Sequence, residues 1–371
     1  AMRPQLFILD EPTANLDPRG CREVLAVVEK LRREENTAII IFEHRLQYLL
    51  PFADRLIMME RGRFTAAGLP EQLVRSGRLS DSCCHRSDPV LKLVGRKALP
   101  VKSAQGAESA PRVPKTPGGQ DRAAPLLSVE RLTVGYEQQA VLEEITFSLQ
   151  PGETAALMGD NGCGKSTLLL ALLGILKPEQ GRICFAGNDL AGCRVTRRAR
   201  EMGLTFQNAN HQLFEKTVFK EAGLPSQFLG GDRVKDRTHL EQLLVHFDLE
   251  CYREKLPFAL SQGEKKRLTL VSVLAYRPSI LLLDEPLVGQ DQDRLDLLME
   301  ALREHSLGGG ITLMAIHEPA VVASCCTRVL FLEKGKLLID APTAGAFAEL
   351  ARQGKDHYLP ADHPFRTGSD V

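Results

Sequence analysis

Two stretches of the chain repeat one pattern, FILDEPTANLDP at residues 7–18 and SILLLDEPLVGQD at residues 279–291. In each stretch, an apolar run typical of a buried strand ends at Asp-Glu-Pro. The repeat continues downstream, because FEHRL is matched by AIHEP and ADRLIMMERGR by CTRVLFLEKGK, and the spacing agrees to within one residue. This agreement indicates duplication of one structural unit.

Apolar strands alternate with helices in both copies, and this order predicts an α/β fold built on a mostly parallel sheet. We divide the chain into an N-terminal unit (residues 1–79), a linker (80–125), a C-terminal unit (126–350) and a C-terminal tail (351–371). The linker is rich in Pro, Gly, Ser and Lys and has no hydrophobic period, which is typical of flexible connections.

Charge and hydropathy narrow the range of partners. The chain carries 47 Lys and Arg residues against 47 Asp and Glu residues, so we expect no nucleic-acid partner. Its longest apolar run, STLLLALLGIL, is shorter than the roughly 18 residues that cross a bilayer, so any membrane role is expected to be peripheral. The vicinal cysteine pairs, Cys83–Cys84 and Cys325–Cys326, fit neither a zinc site nor a secreted disulfide framework, and we expect reduced thiols.

Residues 159–167, GDNGCGKST, fit the phosphate-loop pattern G-x-x-x-x-G-K-[ST] between a short apolar strand and a leucine-rich helix. In this setting, backbone amides and the positive end of a helix face phosphate. Lys165 is expected to neutralise phosphate charge, and Ser166 to ligate Mg²⁺. The residues predicted to hold ATP are Gly159, Asn161, Gly162, Cys163, Gly164, Lys165, Ser166 and Thr167.

A nucleotide at this loop also needs a further metal ligand and a base for the attacking water. Asp284 and Glu285 close the apolar run LLLDE, and we assign the metal contact to Asp284 and the base to Glu285. Helix capping is the alternative role for such acids. The same Asp-Glu-Pro in the N-terminal unit argues against capping.

Cys163 lies within the loop, where its amide rather than its side chain is expected to contact phosphate. A thiol at a helix N-terminus should have a lowered pKa. The sequence therefore predicts that alkylation of Cys163 blocks nucleotide binding and that ATP protects the thiol.

These motifs, in this order, resemble the ATP-binding-cassette (ABC) ATPases over roughly residues 126–345. The resemblance implies a P-loop NTPase cassette with a mostly parallel sheet core, an antiparallel β subdomain and a helical signature subdomain. It also implies that Tyr136 stacks on adenine. Gln207, in LTFQN, would be the Q-loop glutamine, which serves catalysis and Mg²⁺, and His317 would be the catalytic switch histidine.

LSQGEKKRLTL at residues 260–270 resembles the signature of this family, which grips the γ-phosphate of ATP held by a facing cassette. The resemblance implies that Ser261 and Gly263 make that contact. Glu264 stands where the family has glutamine. Its negative charge is expected to weaken the grip.

FQNANHQLFEKTV at residues 206–218 resembles the energy-coupling-factor (ECF) ATPases, and LSQGEKKRLTL and DEPLVGQD resemble the second half of their fused double-cassette forms. The resemblance implies an ATP-hydrolysing subunit for vitamin or metal-ion uptake, peripheral on the cytoplasmic face of the cell membrane. Its partners would be an integral membrane transporter subunit and a substrate-binding membrane subunit. The continuation FKEAGLP departs from the family pattern on the surface that faces the transporter.

Asp10, Glu11, Asp17 and His44 in the N-terminal unit match the acidic strand, D-loop and switch positions of the same family. No phosphate loop, Q-loop or signature precedes them, so this unit cannot hold ATP by itself, and we expect the chain to be a fragment of a longer protein. Cassettes of this family pair head to tail and share their ATP sites. We therefore expect poor hydrolysis unless a second cassette, in cis in the longer protein or from a second chain, completes the site.

Two alternatives stay open. A soluble twin-cassette ATPase acting on ribosomes would also lack membrane spans, but such proteins usually carry a long charged helical linker, whereas this linker is rich in Pro and Gly and the chain is neutral. The chain could also be a partial product whose N-terminal unit buries too little core to fold without a partner.

Overall fold

The computed structural model describes residues 4–76 apart from 14–15, 35–36, 44–45, 51 and 61, residues 125–229 apart from 138, and residues 237–360 apart from 291. His44, Cys83–Cys84 with the linker up to residue 124, and residues 361–371 lie outside the described residues. The strands are β1 (Leu6–Asp10), β2 (Ala38–Phe42), β3 (Leu56–Glu60), β4 (Arg63–Gly68), β5 (Leu127–Tyr136), β6 (Gln139–Leu149), β7 (Thr154–Met158), β8 (Gln180–Phe185), β9 (Asn188–Asp189), β10 (Met202–Thr205), β11 (Ile280–Asp284), β12 (Ile311–Ala315), β13 (Arg328–Glu333) and β14 (Lys336–Pro342).

The helices are α1 (Pro18–Glu34), α2 (Leu46–Leu49), α3 (Pro70–Arg75), α4 (Lys165–Leu173), α5 (Val195–Arg198), α6 (Val218–Leu229), α7 (Arg237–His246), α8 (Gln262–Leu274), α9 (Gln292–Leu307), α10 (Pro319–Cys325) and α11 (Thr343–Arg352). Short 3₁₀ helices cover Ala209–Gln212, Glu250–Tyr252, Pro257–Ala259 and Asp356–Tyr358. Among the described residues, none of the helices combines the length and the apolar character needed to cross a bilayer.

The C-terminal unit is built on a sheet with the strand order β10-β11-β12-β7-β13-β14, in which only β14 runs antiparallel to its neighbour. A smaller antiparallel sheet has the order β6-β5-β8-β9. The leucines of α4 pack between the two sheets. On the other face of the main sheet, α8 packs against α6 and α7. The predicted α/β cassette fold, with its antiparallel β and helical parts, is confirmed.

The central strands β7, β11 and β12 are buried along their whole length. Strands covered on both faces of a parallel sheet read as continuous apolar runs, as ILLLD and ITLMA do. Because β7, β11 and β12 run parallel, their carboxyl ends lie at one edge of the sheet, where the loops that follow them meet.

The N-terminal unit reproduces part of this architecture. Strand β1 pairs in parallel with β2 as β11 does with β12, and β3 pairs with β4 as β13 does with β14. The acid after each acidic strand has a left-handed backbone, with φ of 44° at Glu11 and 49° at Glu285. Each donates its amide across the sheet, to Phe42 O at 2.9 Å and to Ala315 O at 3.0 Å. The internal repeat is therefore confirmed in backbone detail.

The two copies of the acidic strand differ in burial. Leu282 is fully buried because β10 and β12 flank β11 and helices cover the sheet, whereas the equivalent Ile8 is 59% exposed. Among the described residues, β1 and β2 form a sheet of two strands without counterparts of β7 and β10. The C-terminal unit thus holds the extensive core.

We expect Leu282→Ala to destabilise the C-terminal unit by about 2–5 kcal/mol, because it removes a buried side chain and leaves a cavity. The matched change Ile8→Ala should cost less than about 1 kcal/mol, because Ile8 is already exposed. Urea denaturation followed by circular dichroism measures both. Equal losses at the two positions would contradict the burial assigned to them.

Candidate active site

The phosphate loop connects β7 to α4 at the carboxyl edge of the main sheet. Gly159 and Gly164 have φ of 142° and 107°. A Cβ at Gly159 would lie 2.2 Å from the carbonyl oxygen of Leu332, and one at Gly164 would lie 2.5 Å from the Leu142 side chain. The loop can therefore take this path only with glycine at both positions.

The N-terminus of α4 is open to an anion. The helix begins at Lys165 after Gly164, and no side chain caps it. The first N–H groups of a helix have no partner within the helix and carry a partial positive charge. Asn161, Gly162 and Ser166 are exposed at this end, whereas Thr167 is buried in the helix.

Lys165 is buried and its Nζ donates to the backbone carbonyls of Gly159 and Asp160, both at 2.9 Å. These carbonyls hold the ammonium group against its own loop. The loop therefore carries a fixed positive charge beside the open end of α4, an arrangement that suits a polyphosphate.

Asp284 and Ser166 place oxygen atoms that could ligate a metal ion beside the loop. The Ser166 hydroxyl hydrogen-bonds to the buried Asp284 carboxylate. Burial raises the pKa of Asp284, and the Ser166 hydrogen bond and the Lys266 charge oppose that rise. A hydroxyl and a carboxylate are hard oxygen ligands of the kind Mg²⁺ prefers. The residues present therefore fit a magnesium ion at this position.

Glu285 lies at the centre of the candidate site. Its Oε2 accepts a hydrogen bond from Gln207 Nε2 at 3.1 Å, and its Oε1 lies 3.2 Å from His317 Nε2. Burial opposes ionisation of Glu285, but His317, Lys266 and Gln207 together lower its pKa below the ordinary value. The structure thus brings the predicted base, Q-loop glutamine and switch histidine together, with the carboxylate held as an anion.

His317 is buried directly after β12. Its ring contact with Glu285 is within ion-pair distance, yet among the described residues neither ring nitrogen makes a hydrogen bond of good geometry. Buried polar groups rarely stay without a hydrogen bond, and the exceptions are often functional. The ring is therefore able to donate to a further group at this site.

Tyr136 ends β5 and pairs with Gln139 across the turn to β6. Its side chain is 47% exposed. The next part of β6 packs on the phosphate loop, since Val141 and Leu142 are the side chains nearest to Gly164. An exposed ring near the loop could stack on a base.

The structure places the signature residues apart from this group. Ser261 caps α8, where its hydroxyl accepts a hydrogen bond from Glu264 N, while Gly263 packs on the loop at 289–290 and its carbonyl accepts from Gln290 Nε2 at 2.9 Å. These contacts are with the residues that follow Glu285 and not with the phosphate loop. The predicted signature residues Ser261 and Gly263 thus lie on a surface separate from the phosphate loop.

Glu264 has a structural role that its sequence position did not indicate. Its carboxylate accepts from Ser261 N at 2.7 Å while the Ser261 hydroxyl accepts from Glu264 N at 3.3 Å, which is a capping box. The glutamate therefore stabilises the start of α8. Weakened binding of a facing phosphate stays a prediction.

The expectation of a lowered pKa at Cys163 is wrong. Its side chain is buried beneath the loop, and burial raises the pKa of the thiol despite the nearby Lys165 charge. Position at a helix N-terminus suggested the opposite direction, but desolvation of the thiolate is the larger effect. Rapid alkylation of Cys163 is no longer expected.

The N-terminal unit reaches the phosphate loop through Asp17. Asp17 Oδ2 accepts from Asn161 N at 2.8 Å, and Oδ1 accepts from Gly20 N at 2.7 Å. Burial opposes ionisation, but these two amides and the charges of His317 and Lys165 lower the pKa of Asp17. The sequence placed Asp17 at a D-loop position but did not predict this contact.

Sequence reasoning also missed Lys266, whose Nζ donates to the backbone carbonyl of Glu285. Burial lowers the pKa of Lys266 to about 8, although the neighbouring carboxylates oppose that shift. Because Lys265 precedes it in the same signature, composition and spacing could not distinguish the two. Only the packing of α8 against the acidic strand shows which lysine reaches Glu285.

We expect N-ethylmaleimide to modify Cys163 at least about tenfold more slowly than the exposed Cys251 in the native chain, because a buried, protonated thiol reacts poorly. Peptide mass spectrometry of timed samples measures both rates, and urea-unfolded protein provides the control in which the two should converge. Similar native rates would show that the loop does not cover Cys163.

Residues 142–288 match the family described as ABC transporter. The chain is 30% identical over 389 residues to a Methanosarcina acetivorans protein named as an ABC transporter ATP-binding protein, an alignment that covers 97% of this chain and 63% of that protein. It is 33% identical over 359 residues to a Bacillus subtilis (strain 168) protein named as an HMP/thiamine import ATP-binding protein, with 94% and 64% covered. The chain spans less than two thirds of the length of both relatives.

A solved structure of cbiO1 from Clostridium perfringens, described as part of the ABC transporter complex cbiONQ, has the same fold. It superimposes with a TM-score of 0.54 at 29% identity and covers 62% of this chain and 94% of that chain. The matched family, the similar relatives and the site geometry agree. Residues 142–288 therefore match the ABC transporter family, and the C-terminal unit has the fold of an ABC ATP-binding cassette.

Proposed function

We propose that the chain is an ATP-hydrolysing subunit of an ECF-type importer for a micronutrient, either a vitamin or a metal ion. The observation that carries the proposal is the Glu285 carboxylate, held as an anion between Gln207 and His317 at the edge where the phosphate loop lies. An anionic carboxylate at this place can accept a proton from an attacking water.

In this proposal the amides from Gly162 to Thr167 and the Lys165 ammonium bind the phosphates of ATP, and Tyr136 stacks on adenine. Ser166, Gln207 and Asp284 hold Mg²⁺, which neutralises charge that develops on the transferred phosphoryl group. Glu285 orients water and takes its proton. His317 donates a hydrogen bond to the γ-phosphate.

Several features support a transport role. The Bacillus subtilis relative is named for import, and cbiO1 is described as part of a transporter complex. The segment after Gln207 exposes Phe214 and, on α6, Phe228, each more than 70% exposed. Exposed apolar side chains in the segment that follows Gln207 suit a membrane partner whose movement follows ATP binding. The relatives' names do not favour the alternative of a ribosome-associated ATPase.

The site is proposed to need a second cassette. Ser261 and Gly263 would complete the ATP site of a facing phosphate loop, while Lys165 would need a facing signature. Asp17 of the N-terminal unit already contacts Asn161, which supports an arrangement in which the two units face each other.

We expect Glu285→Gln to lower ATP hydrolysis by about 10²-fold or more while Mg·ATP still binds, because the amide cannot accept the proton of water. The matched change Glu11→Gln in the N-terminal unit should leave hydrolysis within about twofold. Phosphate release and calorimetric binding measure the two effects. If the Glu285→Gln protein hydrolyses ATP at the wild-type rate, Glu285 is not the base that accepts the proton of the attacking water.

The same assays should cover a range of protein concentrations. Turnover per chain should rise with concentration if a second chain completes the site by mass action. Fast turnover that does not depend on concentration would contradict the requirement for a second cassette.

We expect the full chain to co-purify with the membrane fraction of its host and not with ribosomes, because the proposed partners are membrane subunits. Fractionation at several salt concentrations measures this, and salt-sensitive recovery with ribosomes would favour the alternative. A variant with Phe214→Ser and Phe228→Ser serves as the control, since loss of the exposed apolar side chains should reduce membrane recovery.

A further inference from the structure

Asp160 of the phosphate loop is bound through two different groups. Its carboxylate Oδ1 accepts a hydrogen bond from the Tyr358 hydroxyl. Its backbone carbonyl accepts from Lys165 Nζ at 2.9 Å. Because both bonds converge on one residue, the position of Tyr358 sets that of Asp160, and Asp160 in turn holds the lysine expected to neutralise the phosphates.

Tyr358 is itself held firmly. It is 1% exposed, and its ring packs edge-on against Phe331 with 4.9 Å between centroids. Phe331 lies on β13 opposite Met158, the last residue of the strand that leads into the phosphate loop. Burial and the hydrogen bond to Asp160 raise the pKa of Tyr358, so the hydroxyl remains protonated and can donate.

The 3₁₀ helix that carries Tyr358 also lies where the two units meet. It packs against α1, and the ring of His357 lies 4.5 Å from that of Tyr358. Burial lowers the pKa of His357, with a further contribution from the charge of Arg22 on α1. The neighbouring loop residues Asp160 and Asn161 are thus each held by a residue distant in the chain, Asp160 by Tyr358 and Asn161 by Asp17.

We propose that Tyr358 is a positioning residue for nucleotide binding, which fixes Asp160 so that the phosphate loop and Lys165 are preorganised for a triphosphate. The inference rests on the proposed ATP-binding function and extends it to a residue outside the phosphate loop, the acidic strand and the signature. Preorganised groups bind more tightly because less ordering remains to be done on binding. A role confined to core packing would need the ring but not the hydroxyl.

The test is Tyr358→Phe, which keeps the ring on Phe331 and removes the hydroxyl. We expect the Kd for Mg·ATP, measured by calorimetry on the full chain, to rise about fivefold to tenfold, since a hydrogen bond to a charged group is lost. Tyr276→Phe is the matched control, because Tyr276 is also buried but its hydroxyl lies 3.5 Å from Met202 O on β10. That variant should bind like the wild type, and equal affinities for the two variants would overturn the proposal.

A double-mutant comparison separates the contact from general destabilisation. In an Asp160→Ala background, Tyr358→Phe should have no further effect on the Kd, whereas an undiminished loss would show that Tyr358 acts by another route and overturn the proposal. Asp160→Asn retains an acceptor oxygen for Tyr358, so its affinity should stay within about twofold of the wild type.

Mg·ATP binding by the wild-type chain and by a Lys165→Ala variant tests the proposed function itself. Binding by the wild type that Lys165→Ala abolishes places the nucleotide at this loop. If folded wild-type chain binds no Mg·ATP, the proposed function fails and this inference fails with it. If the wild type binds and Tyr358→Phe binds equally well, only the role of Tyr358 is overturned.

Discussion

Two adjacent carboxylates, Asp284 and Glu285, are buried at the end of β11, and the rest of the site is arranged around them. Buried charges are costly unless paired or hydrogen-bonded. Ser166 bonds to Asp284, while Gln207 and His317 contact the Glu285 side chain. The three partners follow three different strands, β7, β10 and β12, so the site joins residues that are distant in the chain.

The backbone at Glu285 is constrained as strongly as its side chain. Its left-handed conformation is uncommon for a residue other than glycine. The amide is bound by Ala315 O and the carbonyl by Lys266 Nζ, so both peptide groups are fixed. Lys266 lies on α8, the helix that Ser261 caps. The predicted signature surface and Glu285, the proposed base, are therefore mechanically connected within one cassette, although each would serve a different nucleotide.

Comparison of the two copies separates the backbone turn, which both units share, from the side-chain partners of Glu285, which only the C-terminal unit provides among the described residues. Glu11 reproduces the left-handed turn and the cross-strand bond of Glu285, even though β1 is largely exposed. Local sequence thus suffices to form the turn. The partners that lower the pKa of Glu285 follow β10 and β12 or lie on α8, and among the described residues the N-terminal unit has no counterpart of β10 or α8. Its contribution to the site is Asp17, which binds the phosphate loop of the other unit.

The sequence predicted the strand and loop elements well because their signals are local. An apolar run that ends in Asp-Glu predicts a buried strand from neighbouring residues alone. A glycine loop before a helix predicts a phosphate loop in the same way. The pKa direction of Cys163, the bond from Lys266 to Glu285 and the bond from Tyr358 to Asp160 depend on packing between segments distant in the chain. A motif cannot report how deeply a loop is buried, or which of two neighbouring lysines donates to the Glu285 carbonyl.

The most direct test is a crystal structure of the chain with Mg²⁺ and a non-hydrolysable ATP analogue. The account predicts a triphosphate over the N-terminus of α4, contacted by Lys165, with the Glu285 carboxylate facing its outermost phosphate. A nucleotide bound elsewhere, or a Glu285 carboxylate turned away from that phosphate, would contradict it.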